Sequence, residues 1–305
     1  VDAIKFQMHF AEFESSKYEK FRINFSYQDK TRFDYWKRIE FNENQWLEIK
    51  KHCDEVGLQF ICSIFSDQSI KILSRIGANY IKIPSGELSN FLMLSKLSDN
   101  TNNKLILSTG LSDNKEIAEA FKVLSKQKKN ISILHCTSEY PCTPDKIGLN
   151  QIKLLKKKFN VPTGFSDHSG NIYSSLMAIM QGAEIIEAHV VYDKRMFGPD
   201  TISSITIEDF KRLIEGARFI EEAKKSKINK RKLSNDTKVT KSIFGKSIII
   251  NKDMSKGSII KINDISSLKP EGYGLSPKYF KKIINKKLNR DFLKNEFISL
   301  EDVSK

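Results

Sequence analysis

The sequence is poor in cysteine, and its four cysteines, Cys53, Cys62, Cys136 and Cys142, form no Cys-X-X-Cys pair. That counts against a zinc knuckle and a disulfide framework, and it fits reduced thiols in a cytoplasm. Apolar runs are short. None approaches the roughly 20 residues needed to cross a bilayer, and no signal-peptide pattern opens the chain, so a soluble protein with no membrane partner is expected. No glycine-rich dinucleotide loop follows any apolar run, which argues against an open doubly wound sheet. Also missing is a basic stripe interleaved with aromatics. The net charge of +14 is spread over predicted helix surfaces among many acidic residues, so nucleic acid is not the expected partner, whereas small anions are.

What is present is enough to fold. Hydrophobic residues make up 39% of the 305, with Phe at 20 copies, sufficient for one large domain and a small one. Up to about residue 225, short apolar runs ("AIKFQ", "QFICSIF", "YIKIPSG", "KLILSTG", "ISILHCT", "VPTGFSDH", "EIIEAHV") alternate with longer segments such as "DNKEIAEAFKVLSKQ", whose apolar residues recur at helical intervals. Strand and helix in alternation predict an α/β fold with a parallel sheet. The spacing favours a (β/α)8 TIM-type barrel; seven strands are readable where a closed barrel needs eight. Because the first strand begins at once, the simplest expectation is a barrel whose first βα unit is absent.

Residues 8–44 form the long connection, rich in aromatics and charges, expected as a functional or partly disordered loop over the barrel mouth. The domains expected are a barrel over 1–224, a lysine-rich linker over 225–238 and a small β-rich unit over 239–305, where "KSIIINKDMSKGSIIKINDI" and "KPEGYGLSP" supply strands and turns.

Side chains alternate along a strand, and in a parallel barrel the chemistry gathers where strands end. Lys5 and Gln7 share one face, and Lys82 opposes Ile81 and Ile83, with Ser85 and Glu87 just beyond. Ser63, Ser108, Thr109, Thr137, Ser138 and Tyr140 close other strands. Ser166 and His168 point one way, and Glu187 and His189 repeat the pattern on the next strand. Adjacent strands lie about 4.8 Å apart, so both imidazoles can reach one divalent ion, with Glu187 or Asp167 completing its shell or orienting a histidine. Inward Lys5 and Lys82 make a poor core but a good cradle for phosphate and carboxylate.

With these residues in view, the chain resembles the sialic acid synthase family, which condenses phosphoenolpyruvate with an N-acylated hexosamine to give a nonulosonic acid. The motifs that carry the resemblance are "DAIKFQ", "KIPSGE", "LSTG", "HCTSEYP", "GFSDHS", "IIEAHV" and "MFGPD", in the family's order, then "SIFGKS" and a tail similar to the antifreeze-like SAF (β-clip) module. The resemblance implies that Lys5, Ser63, Lys82, Ser85, Ser108 and Ser166 hold phosphoenolpyruvate, and that Gln7, Tyr140 and Asp200 hold the sugar. It implies that His168 and His189 bind manganese or magnesium, that Lys82, Glu87 and Glu187 serve catalysis, and that the chain works as a domain-swapped homodimer. Ile64 stands where a proline is usual and Ser138 where Asn is common. Lys269 stands where many members carry Arg; it keeps the charge for the sugar contact and loses the bidentate fork. Neuraminic, legionaminic and pseudaminic acid synthases share these motifs. Two rival readings are another phosphoenolpyruvate-using aldol-type synthase and a non-catalytic sugar-phosphate binder.

Overall fold

A computed structural model describes residues 1–23, 25–100, 103–124 and 130–304. The chain divides into two compact units, Val1–Lys225 and Ser226–Lys305.

In the first unit, seven strands form one sheet: β1 Ala3–Met8, β2 Gln59–Ile64, β3 Tyr80–Ile83, β4 Lys104–Ser108, β5 Ile131–His135, β6 Thr163–Asp167 and β7 Ile186–Ala188. They pair in chain order, every pair parallel. This is the curled sheet of a (β/α) barrel, with the seven strands expected. Two short strands follow, β8 Val190–Val191 and β9 Ile205–Thr206, which pair with each other.

The helices between the strands are α1 Ala11–Glu14, α2 Arg32–Ile39, α3 Glu43–Glu55, α4 Asp67–Arg75, α5 Phe91–Asn100, α6 Asn114–Val123, α7 Asn150–Phe159 and α8 Tyr173–Met180; α9 Ile207–Lys225 closes the unit. Their ends are written in the sequence. Asn42 with Gln45 and Asp113 with Glu116 form capping boxes that satisfy orphan N–H groups at the starts of α3 and α6. Helix α7 buries Ile152, Leu155 and Phe159, three and four residues apart, and stops at Asn160 in the left-handed region (φ 52°). The outward residues of the strands, such as Cys62, Ile64, Ile81, Ile83, Leu105 and Leu107, pack with these helices into one core.

The connection over 8–44 is not simply a loop. It contains α1 and α2, the latter started by a Thr31–Asp34 capping box, and Phe21, Phe25, Tyr35 and Trp36 pack ring against ring within it. That cluster gives the segment an apolar centre of its own.

The second unit opens with exposed chain. Within the passage expected as a linker, Ser234 caps a tenth helix, α10 Asn235–Phe244. Strands β10 Ser247–Ile250 and β11 Ile265–Leu268 pair antiparallel, around a separate core of Ile248, Ile250, Ile260, Ile283, Leu288, Phe292, Ile298 and Val303. The four cysteines are buried and free. No helix among the described residues is long and apolar enough to cross a membrane.

Candidate active site

The C-terminal ends of the strands bring the inward polar residues together. Register places Gln7 beside Ser63 and Ser63 beside Lys82 across β1, β2 and β3, and Ser166 beside Glu187 across β6 and β7. At the centre is one oxygen, Glu187 Oε1. It receives Lys5 Nζ at 2.8 Å, Lys82 Nζ at 3.4 Å and the Ser166 hydroxyl at 2.8 Å. Burial alone would raise the Glu187 pKa, but Lys5 and then Lys82 overcome it and hold the carboxyl well below the usual carboxylate range. Lys82 is fully enclosed. Burial lowers its pKa and Glu187 opposes that shift. Two ammonium groups thus converge on one carboxylate, which leaves one positive charge in surplus.

Around this centre stand the serines. Ser85 and Ser138 hydroxyls meet at 3.1 Å, Ser63 is buried, and the buried Ser108 Oγ has only the weak Cys136 thiol beside it. Gly110 makes room: a Cβ there would lie 2.4 Å from Ser138 Oγ and 2.6 Å from Cys136 Sγ. Gly164 in β6 has a stricter reason, since a Cβ would come within 2.3 Å of the Ile185 carbonyl.

His168 and His189 lie just past the ends of β6 and β7, with ring centroids 5.5 Å apart and planes inclined by 37°. Tyr140 packs on both, its ring 4.3 Å from His168 and 6.4 Å from His189. His168 Nδ1 donates to the Thr137 carbonyl at 2.9 Å, which makes Nε2 the acceptor nitrogen of the neutral ring, with the Ser166 hydroxyl at a long 3.5 Å from it. Burial pushes the His168 pKa down. It lowers that of His189 to about 4, with Lys5 and His168 adding to the shift. Both imidazoles are therefore neutral near pH 7, the form that ligates metal. Among the described residues no group of three or more His, Cys, Asp or Glu side chains could hold an ion. Two neutral imidazoles with ring centroids 5.5 Å apart offer donors suited to a divalent ion but do not by themselves make a full ligand shell.

The two carboxylates expected to complete the ion's shell or orient a histidine are engaged with other groups in this structure. Asp167 accepts from the Ser169 N–H at 2.8 Å and from the Ser175 hydroxyl of α8 at 2.6 Å, so it pins β6 to its helix. Glu187 is taken by the lysines. The group that orients His168 is a backbone carbonyl.

A cavity of about 450 Å3 opens beside this centre, lined by Gln7, Tyr140 and Asp200, the three residues expected to hold a sugar. Its other wall comes from the 8–44 segment. Arg22 lies over the Tyr140 ring at 4.4 Å and pairs with Asp200 at 2.7 Å. Burial pushes the Tyr140 phenol above its ordinary range. Glu87, in the turn after β3, accepts from Asn90 at 2.8 Å. Burial raises its pKa, Asn90 opposes, and the charge of Glu14 adds to the rise. Lys269 belongs to the second unit, where its ammonium lies 4.8 Å from the centre of the Phe244 ring.

Reading the sequence missed His9, Glu14, Arg22 and Trp36. His9 was within reach of the alternation that found Lys5 and Gln7, because it continues the same face by two residues. Arg22 and Trp36 carried no such signal, since an irregular segment has no period.

Residues 1–229 match the NeuB family, and residues 245–304 match the SAF domain. The chain belongs to the NeuB family. It is 31% identical to N,N'-diacetyllegionaminic acid synthase of Campylobacter jejuni over 97% of this chain and 90% of that protein. It is 27% identical to N-acetylneuraminate-9-phosphate synthase of Drosophila melanogaster over 85% of this chain and 76% of the relative. Among solved structures, N-acetylneuraminic acid synthetase of Leptospira borgpetersenii, in complex with citrate, matches with a TM-score of 0.67 at 28% identity, over 78% of this chain and 80% of that one. The NeuB match spans the residues that build the site, and the SAF match spans β10 and β11.

Proposed function

We propose that the chain is a transferase that condenses phosphoenolpyruvate with an N-acylated hexosamine to form a nonulosonic acid, with release of inorganic phosphate. The observation that carries this reading is the surplus positive charge where Lys5 and Lys82 share Glu187. A buried uncompensated ammonium calls for an anion. Phosphoenolpyruvate brings a phosphate and a carboxylate, and Ser63, Ser85, Ser108 and Ser166 surround the place with hydroxyls to bind them. Membership of the NeuB family, whose relatives are named as nonulosonic acid synthases, supports the same chemistry.

In the reaction, C3 of phosphoenolpyruvate forms a bond to the aldehyde carbon of the open-chain sugar, and the aldehyde oxygen takes up a proton. Water adds to C2 and gives up a proton, and the C2–O bond to phosphate then breaks as the new C2 hydroxyl becomes the keto group and its proton leaves with the phosphate. Lys5 and Lys82 hold the anion and offset its charge throughout. Glu187 yields its place between the lysines to the incoming anion, and its freed carboxylate takes the proton of the attacking water. Glu87, in the turn after β3, is the group assigned to supply the proton to the aldehyde oxygen, a role that the burial raising its pKa suits. Gln7, Tyr140 and Asp200 position the sugar in the adjacent cavity. His168 and His189 would hold manganese or magnesium, whose contribution would be Lewis-acid polarisation of the aldehyde.

The test is release of inorganic phosphate from phosphoenolpyruvate with Mn2+ and N-acetylmannosamine or a 2,4-diacetamido hexose, with the product identified by mass spectrometry. Phosphate release that requires both substrates supports the reading. No release with either sugar overturns it. The homodimer that the family resemblance implies is checked separately by sedimentation equilibrium.

A further inference from the structure

We propose that His9, held by Glu14, is a binding residue for the acceptor sugar, taking a hydrogen bond from one of its hydroxyl or acylamino N–H groups. The proposal rests on the reading of the Gln7–Tyr140–Asp200 cavity as the acceptor site and adds a residue to it. His9 is 6% exposed and lines that cavity beside Gln7. Its ring is clamped between Trp36, at 3.8 Å between centroids, and Phe65, at 4.3 Å, both nearly parallel to it. Nδ1 meets Glu14 Oε1 at 2.7 Å. A carboxylate can only accept, so Nδ1 carries the proton, and in the neutral ring Nε2 is the acceptor.

That nitrogen is buried and has no hydrogen-bond partner, and the second oxygen of Glu14 is buried without one too. A pair built only for the fold would be expected to close its hydrogen bonds, because an unpaired buried polar atom is a standing cost. The arrangement suits a nitrogen whose partner arrives with the ligand. The clamp supplies what such a residue needs, a ring held between two aromatic faces, and the flanking aromatic faces suit the apolar parts of an acylated sugar.

The test uses the full chain with phosphoenolpyruvate and N-acetylmannosamine. The double variant His9→Phe/Glu14→Leu keeps a ring between Trp36 and Phe65 and removes both polar partners together. We expect the KM for N-acetylmannosamine to rise about tenfold, the KM for phosphoenolpyruvate to stay within twofold, and the melting temperature to hold within a few degrees. Glu14→Gln, whose amide oxygen still accepts from Nδ1, should keep most of the acceptor affinity. An unchanged acceptor KM, or both KM values and the melting temperature moving together, overturns the proposal. Calorimetric titration of N-acetylmannosamine separates the two readings. Sugar binding that depends on His9 without phosphate release keeps this inference and sinks the condensation, whereas no sugar binding to the parent chain sinks this inference.

Discussion

His168 and Asp167 are neighbours in the chain that do opposite work. Asp167 is engaged by Ser169 and Ser175, whereas His168 spends Nδ1 on a carbonyl and keeps Nε2 as an acceptor with one long contact to Ser166, its ring packed beside Tyr140 and His189. His168→Ala or His189→Ala should therefore lose Mn2+ affinity by at least an order of magnitude in calorimetry. Asp167→Asn should retain it and lose about 1–3 kcal/mol of stability, since it weakens a buried acceptor. Equal Mn2+ affinity in the histidine variants would overturn the assignment. The same burial fixes a pH dependence. The native pKa of His189 is about 4, against about 6.5 in an unfolded chain. Above pH 6.5 neither state holds the proton and the group is silent. Between 6.5 and 4 the unfolded chain binds a proton that the native state refuses, so metal-free protein should lose stability on acidification through that window. Glu187, with a depressed pKa, acts lower still: its contribution is present above the usual carboxylate range and is lost as pH falls through its native value. Urea midpoints at pH 7, 5.5 and 4.5 should fall less steeply in His189→Asn than in the parent. Parallel slopes would show that His189 is not the group responsible.

At the scale of strands and helices, two glycines separate packing from chemistry. Gly164→Ala sets a Cβ against the Ile185 carbonyl, which is backbone and cannot turn away. It should cost about 1–3 kcal/mol or more, read as a lower urea midpoint. Gly110→Ala meets first the Ser138 hydroxyl and the Cys136 thiol, side-chain ends that can rotate, with the Cys136 carbonyl farther off at 3.2 Å. That variant should stay folded and lose activity, because Ser138 is bonded to Ser85 at the anion site. If both variants lost stability equally, the distinction would fail.

The same elements show what the sequence could reveal. Period-two alternation found Lys5, Gln7, Lys82, Ser166, His168, Glu187 and His189, because in a parallel strand the side chain's face is a local property. The role of Asp167 was hidden, since it depends on Ser175 in the following helix, and so was the orienting carbonyl of Thr137, which has no side-chain signature. The 8–44 segment announced its aromatic content but not the clamp around His9, because ring stacking there joins Trp36 and Phe65 from different stretches of chain.

At the scale of the whole chain, each unit buries a core of its own, and the passage that joins them buries nothing. Every residue from Glu221 to Phe244 is exposed, and Ser226–Ser234 lies outside any helix. Lys224 and Lys225 in the last turn of α9, and Lys227, Lys230, Arg231 and Lys232 beyond it, are also cleavage sites for trypsin. Proteolysis needs chain that can enter an active site in extended form, and exposed backbone outside regular structure meets that need at the smallest unfolding cost. Brief digestion under native conditions should therefore cut first between Lys224 and Lys232, giving two fragments that resist further cleavage. The lysines on α3, α6 and α7, and Lys211 near the start of α9, should survive at that stage, because cutting them requires opening a helix packed on the sheet. Mass spectrometry of the first products decides the matter. Early cuts scattered through Val1–Lys225 would mean that this unit does not stand as a compact body.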